Sequence, residues 1–208
     1  MPRCEVRLLK AAHNRRAPWK NGRGMSEEIA LWPAGSSFER GDFDWRIAKA
    51  QVDAPGAFSS FPGFERVLLI LGGSSMVLEH GELSPRAHLR PLEPARFSGD
   101  WPTRCELPGG AVCDLNVLTR RGVWQAEVLA LQLGQRRMRE SLESVQACVH
   151  VVGGGFNLRV SGEETPFELE VGDSLLISEG ARGVELDIQG LAKESTLVLV
   201  HLNPARPN

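Results

Sequence analysis

The sequence has no long apolar run. Its longest uninterrupted aliphatic stretch, Val67 to Leu71, is far too short to span a bilayer. No apolar segment of signal-peptide length follows Arg3, Arg7 and Lys10 before Asn14, Arg15 and Arg16 interrupt. These absences predict a cytoplasmic protein that makes no use of a membrane. Charge of one sign is lacking too: lysine plus arginine is 24 and aspartate plus glutamate 26, a net of −2. Nucleic acid as the main partner therefore loses its electrostatic footprint, and any basic site has to be local. Cys4, Cys105, Cys113 and Cys148 form no Cys-x-x-Cys pair, which argues against a structural zinc site and against a disulfide-stapled scaffold. Four reduced thiols are expected. His13, His80, His88, His150 and His201 are isolated, with no His-x-His and no i, i+4 pair, so no metal and no other cofactor is expected.

What is present is an ordinary soluble composition, 42% hydrophobic and 24% charged, over 208 residues. That length suits one domain or two small fused ones. Glycine (22) and proline (13) are spread along the chain and punctuate short apolar segments, as in all-β proteins. Trp45 to Val52, Val67 to Leu71, Met76 to Glu79, Ala111 to Leu118, Glu127 to Leu133, Ala147 to Val152, Phe156 to Val160, Phe167 to Val171, Ser174 to Ser178, Val184 to Ile188 and Thr196 to Leu202 read as strands. Gln135 to Glu143, polar and arginine-rich, reads as a short helix or a linker. Val67 to Gly73 followed by Met76 to Leu78 is matched by Val149 to Gly155 followed by Leu158 to Val160, an offset of 153 − 72 = 81 residues. Each half would be a strand, a glycine-rich turn and a return strand, which predicts a duplicated β-barrel, 1–123 and 124–208.

Leu169 to Gly180, with Gly172-Asp173 opening a hairpin, resembles the strand-turn-strand of cupins, which are double-stranded β-helices; the resemblance implies a bicupin. Laid over the metal-binding motifs of that fold, Ser59, Phe61 and Gly183 fall where histidine ligands belong. His150, inside an apolar run, reads as a core or barrel-lining residue.

The polar residues concentrate in the first half. Trp19 to Gly24 places Lys20 and Asn21 among glycines, a segment able to bring N–H groups and a cation to an anion. Trp45 to Val52 alternates so that Arg46, Ala48, Ala50 and Val52 share a face; a guanidinium there needs a carboxylate, Asp114 or Glu65, or an anionic ligand. Phe58 to Arg66 adds Ser59, Phe61 and Arg66, while Asp114 and Asn116 share a strand face and Arg120 lies at its end. Together they describe an electropositive pocket for a small anionic metabolite.

Trp19 to Ala30, Trp45-Arg46-Ile47, Phe58 to Arg66 and Asp114 to Val117 run in the order of the HutD/Ves family of bacterial proteins, which the chain resembles over residues 17–121. The resemblance implies a cytoplasmic bicupin associated with histidine utilisation, a regulator sensing a metabolite such as formylglutamate. It assigns ligand contacts to Lys20, Asn21, Arg46, Ser59, Phe61, Arg66, Asp114 and Asn116, with Arg120 at the margin, and no catalytic residue. The chain departs from the family at Arg23, Ser26, Glu27, Ala48 and Leu118, which bears on ligand identity. The alternative is a metal-independent enzyme, an isomerase or hydrolase of an acyl amino acid, with Asp114 or Glu65 as general base. A third reading is an interaction module with a satisfied salt-bridge network. A homodimer is compatible with cupin sheets, which often pair across subunits.

Overall fold

Alternating residues in short segments closed by glycine, proline or aspartate make the chain a succession of strands. The computed structural model describes residues 4–18 and 24–206. Among them there is no α-helix, hence none long and apolar enough to cross a membrane, and one 3-10 turn, Ala11–His13. The strands are β1 (Glu5–Leu9), β2 (Arg15–Pro18), β3 (Gly24–Trp32), β4 (Trp45–Val52), β5 (Gly56–Ala57), β6 (Phe64–Gly72), β7 (Met76–Glu79), β8 (Ala87–Leu89), β9 (Ala95–Ser98) and β10 (Arg104–Glu106). They continue as β11 (Val112–Arg120), β12 (Trp124–Gln132), β13 (Arg137–Ser141), β14 (Gln146–Gly153), β15 (Gly155–Val160), β16 (Phe167–Glu170), β17 (Ser174–Ser178), β18 (Glu185–Gly190) and β19 (Thr196–Pro204).

The chain divides into two units. One holds Arg15–Gln125 with the tail from Ala205, as a six-stranded sheet β2-β3-β4-β11-β6-β9 and a four-stranded sheet β5-β10-β7-β8. Leu68, Ile70 and Val112 of the larger sheet share a buried core with Met76, Leu78 and Cys105 of the smaller. The other holds the chain up to Asn14 with Ala126–Pro204, as β1-β17-β14-β19-β12 and β13-β18-β15-β16. There Val149, Leu197 and Leu199 pack with Phe156, Leu158 and Ile188.

The sheet orders reveal the duplication strand for strand: β4-β11-β6-β9 with β5-β10-β7-β8 repeats as β12-β19-β14-β17 with β13-β18-β15-β16. The 81-residue offset links Gly72, which ends β6, to Gly153, which ends β14. The expected return strands do not pair with their predecessors, however. β7 and β15 lie in the opposite sheet from β6 and β14, so each glycine turn carries the chain between sheets rather than closing a hairpin. The same holds at Gly172-Asp173, between β16 and β17. Gly73 has φ 93°, and a Cβ there would meet the Ala111 carbonyl oxygen at 2.7 Å, so only glycine fits that step.

Two further expectations are corrected. Gln135 to Glu143 is neither helix nor linker: Arg137–Ser141 is β13, paired antiparallel with β18. Met138 packs on the core while Arg137 and Arg139 face solvent, a period of two. The first fourteen residues join the second half instead of a barrel running 1–123. β1 pairs with β17 from Glu5↔Ser178 to Leu9↔Ser174, and the buried Asp173 carboxylate accepts from Lys10 Nζ at 2.7 Å and from the Ala11 amide at 3.0 Å. Burial pushes the Asp173 carboxyl up, but the hydrogen bonds from Lys10, Ala11 and Glu170 outweigh it and hold the group below its ordinary value. His150 is buried on the strand face opposite Val149 and Val151, with Nδ1 2.8 Å from Ser174 Oγ.

Candidate functional site

The inward face of the six-stranded sheet sets chemistry-bearing residues side by side. Cross-strand rows over β3, β4, β11 and β6 read Ser26, Ala50, Asp114, Ile70, then Glu28, Ala48, Asn116, Leu68. The third row is Leu31, Arg46, Leu118, Arg66, with Phe97 of β9 beyond it. Alanine at 48 and 50 leaves the middle of this face low. Ser26, Glu28 and Asn116 are half-buried, which marks where the face meets solvent.

Arg46 is held on both sides. Its Nε donates to Glu28 Oε2 at 2.9 Å, a terminal nitrogen reaches Ser26 Oγ at 3.4 Å, and the Phe38 ring lies 4.3 Å over the guanidinium. Glu28 thus takes the place offered to Asp114 or Glu65, because it sits one row away on the adjacent strand. Glu65 points to the opposite face and accepts from Arg121 at 2.5 Å.

Arg66 and Asp114 are far less satisfied. Arg66, 2% exposed, gives one hydrogen bond, to the Ser59 carbonyl at 3.1 Å, and is enclosed by the rings of Phe97, Phe61 and Phe58 at 4.9, 5.2 and 5.3 Å. Its Nε has no partner among the described residues. Burial lowers its pKa to about 10, against the pull of Asp114, which leaves it cationic at neutral pH. Asp114 is fully buried, and neither carboxylate oxygen has a partner among the described residues. Burial pushes its pKa up to about 7, with Arg66 pulling the other way from beyond ion-pair distance. Asn116 Oδ1 between them is likewise buried and unpartnered. Each such group costs about 1–3 kcal/mol.

The other unit shows that the fold does not need them. Asp114 pairs across from Ile70, Asn116 from Leu68 and Leu118 from Arg66. Adding 81 to the β6 residues gives Val151, Val149 and Ala147, which face Leu197, Leu199 and His201. The equivalents of Asp114, Asn116 and Arg66 are therefore Leu197, Leu199 and Ala147, all fully buried in an apolar core. One architecture, built twice in one chain, is apolar at these positions once and carries three costly polar groups the other time.

Of the residues singled out from the sequence, Arg46, Arg66, Asp114 and Asn116 come together on this face. Phe61 stacks beside Arg66, and Ser59 contributes its carbonyl while its side chain is on an exposed residue. Arg120 is engaged elsewhere: Nε donates to Asp44 at 3.0 Å and a terminal nitrogen to the Phe43 carbonyl at 2.6 Å. Lys20 and Asn21 lie outside the described residues. Sequence reasoning missed Glu28, Phe38 and Phe97, which belong to strands and loops whose pairing is set by distant partners. Among the described residues, no three His, Cys, Asp or Glu side chains converge as metal ligands.

Residues 11–198 match the HutD family. The chain belongs to that family. A 115-residue stretch of this HutD-family protein is 36% identical to an uncharacterised 21.2 kDa protein in the hutC 3′ region of Pseudomonas putida, covering 55% of the present chain and 58% of the relative's length. Two solved structures are each 28% identical and cover 97% of the chain and 100% of their own. They are a conserved protein of unknown function from Pseudomonas aeruginosa PAO1, with TM-score 0.83, and HutD from Pseudomonas fluorescens SBW25, with TM-score 0.76. YhhW from Escherichia coli, at 13% identity and TM-score 0.67 over 97–98% of this chain and its whole length, shares the cupin fold alone.

Proposed function

We propose that this chain is a metal-free bicupin that binds a small carboxylate metabolite in its Arg15–Gln125 barrel and regulates histidine utilisation. One observation carries the reading: of two equivalent barrels, one replaces Leu, Leu and Ala by Asp114, Asn116 and Arg66 and leaves both Asp114 oxygens, Asn116 Oδ1 and Arg66 Nε without a hydrogen-bond partner among the described residues. Groups that cost stability and serve no fold requirement serve a ligand. Their inventory gives its chemistry. Arg66 has a single acceptor, the Ser59 carbonyl, and a free Nε among the described residues, so the ligand brings a carboxylate; Asp114 and Asn116 Oδ1 lack donors there, so it brings N–H. A formylglutamate-like acyl amino acid carries both. The link to histidine utilisation rests on the family and on the hutC-region relative.

The test is thermal denaturation of chelator-treated protein with formylglutamate, urocanate, glutamate or divalent metals. A ligand at ~100 times its dissociation constant adds about 2.7 kcal/mol, on the order of 5–10 °C in midpoint for this length. A selective shift with formylglutamate, lost in Arg46→Ala, is expected. A shift with metal and none with any acid refutes the reading. Asp114 favours one second reading, since a buried carboxyl titrating near 7 suits general acid–base work on an acyl amino acid. Formate release from formylglutamate by the purified protein would replace binding by hydrolysis.

A further inference from the structure

On the same unit, away from the Asp114 row, a groove of about 670 Å³ is lined, apart from Phe58, by residues that no role above uses. Its walls include Phe58 and Trp101, its floor His80 and its rim Arg104. His80 is 3% exposed, with its ring 4.9 Å from Phe97 and 5.2 Å from Trp101.

One tautomer satisfies both hydrogen bonds of the neighbouring Thr103 hydroxyl. Thr103 Oγ1 donates its one proton to the Trp101 carbonyl at 3.2 Å, so toward His80 Nδ1, at 2.9 Å, it can only accept. Nδ1 therefore carries the hydrogen, and Nε2 holds a lone pair with no partner among the described residues. Burial, with Arg66 nearby, lowers the His80 pKa and keeps the ring neutral. Arg104 supplies the second polar feature. It lies directly across from Glu79 of β7, but that carboxylate is taken by Arg86, and Arg104 has no ion pair among the described residues.

We propose that this groove is a second ligand site, for a small aromatic acid whose ring bears an O–H or N–H donor. The ring packs on Trp101 and Phe58, the donor meets His80 Nε2, and the carboxylate meets Arg104. Phe58 also stands 5.3 Å from the Arg66 guanidinium, so an occupant touches the wall of the barrel site without entering it.

The probe is 4-hydroxyphenylacetate, titrated by calorimetry against phenylacetate, which lacks the donor, and tyramine, which lacks the carboxylate. Phenylacetate binding about tenfold more weakly is expected from the loss of one buried hydrogen bond. Arg104→Glu, an exposed substitution that leaves the core intact, is expected to weaken the probe by tenfold or more, and His80→Phe, which keeps the stacking, to erase the preference over phenylacetate. Binding persists in Arg46→Ala, which separates this site from the barrel. Equal affinity for probe and phenylacetate, indifference to Arg104→Glu, or no binding at millimolar probe overturns the proposal.

Discussion

Replacing Asp114 by asparagine keeps the shape of the side chain and removes its titration. In the folded protein the carboxyl titrates near 7, against an ordinary value of 3.8. Below about pH 4 both folded and unfolded chains hold the proton, and the group costs nothing through its charge. As pH rises from 4 to 7 the unfolded chain releases the proton while the folded chain retains it, so stability falls across that window and levels off above it. The difference of 7 − 3.8 = 3.2 units corresponds to about 4 kcal/mol in total. Carboxylates held below their ordinary value, Asp173 among them, act in the opposite sense and only as pH falls toward 4 and below. Subtracting the wild-type curve from that of Asp114→Asn cancels them. Urea unfolding at half-unit steps from pH 4 to 8.5 should show the variant gaining on wild type by about 4 kcal/mol between pH 4 and 7, with no further change above. A difference independent of pH would refute the unpartnered, buried state of Asp114.

Three further outcomes follow from the same geometry. Asp114→Leu combined with Asn116→Leu copies Leu197 and Leu199; chemical denaturation should show stability retained or raised while the thermal shift with formylglutamate disappears. Arg120→Ala removes contacts to Asp44 and the Phe43 carbonyl, remote from the Asp114 row, so ligand affinity by calorimetry should stay within about twofold, whereas Arg46→Ala loses more than tenfold. Asp173→Ala strips the Ala11 and Glu170 amides and Lys10 of their acceptor and should cost about 1–3 kcal/mol at pH 7, less as pH falls through the depressed Asp173 titration, read from denaturation midpoints at pH 7 and pH 3.

The sequence foretold those parts of the site that depend on local alternation. Arg46 reads as inward because two alanines follow it at period two, and Asp114 and Asn116 read as sharing a face for the same reason. The partner of Arg46 was not legible, since Glu28 reaches it through a register between β3 and β4 that includes a bulge at Glu28/Ala30. Arg120 misled because the chain shows it beside Arg121 at a strand end, while Asp44, its partner, is 76 residues away. Gln135 to Glu143 misled by composition: its polar, arginine-rich residues hide an alternation that turns Met138 and Leu142 inward. Duplication was legible from the repeated glycine turns, yet not the sheet to which each return strand belongs, which is decided by long-range pairing. His80, Thr103 and Trp101 gave no motif, because their relation is made by folding alone.

The docking of β1 on β17 joins two strands that are synthesised far apart in time. Glu5 and Ser178 are 178 − 5 = 173 residues apart. At about 5–20 residues per second, the strand leaves the ribosome roughly ten to thirty seconds before its partner exists. Until then the four apolar or basic residues after Glu5 wait unpaired, and the barrel that will receive them cannot close its edge. A recombinant fragment starting at residue 124 would keep that vacancy for good, with β17 an open template for another chain and Asp173 stripped of Lys10.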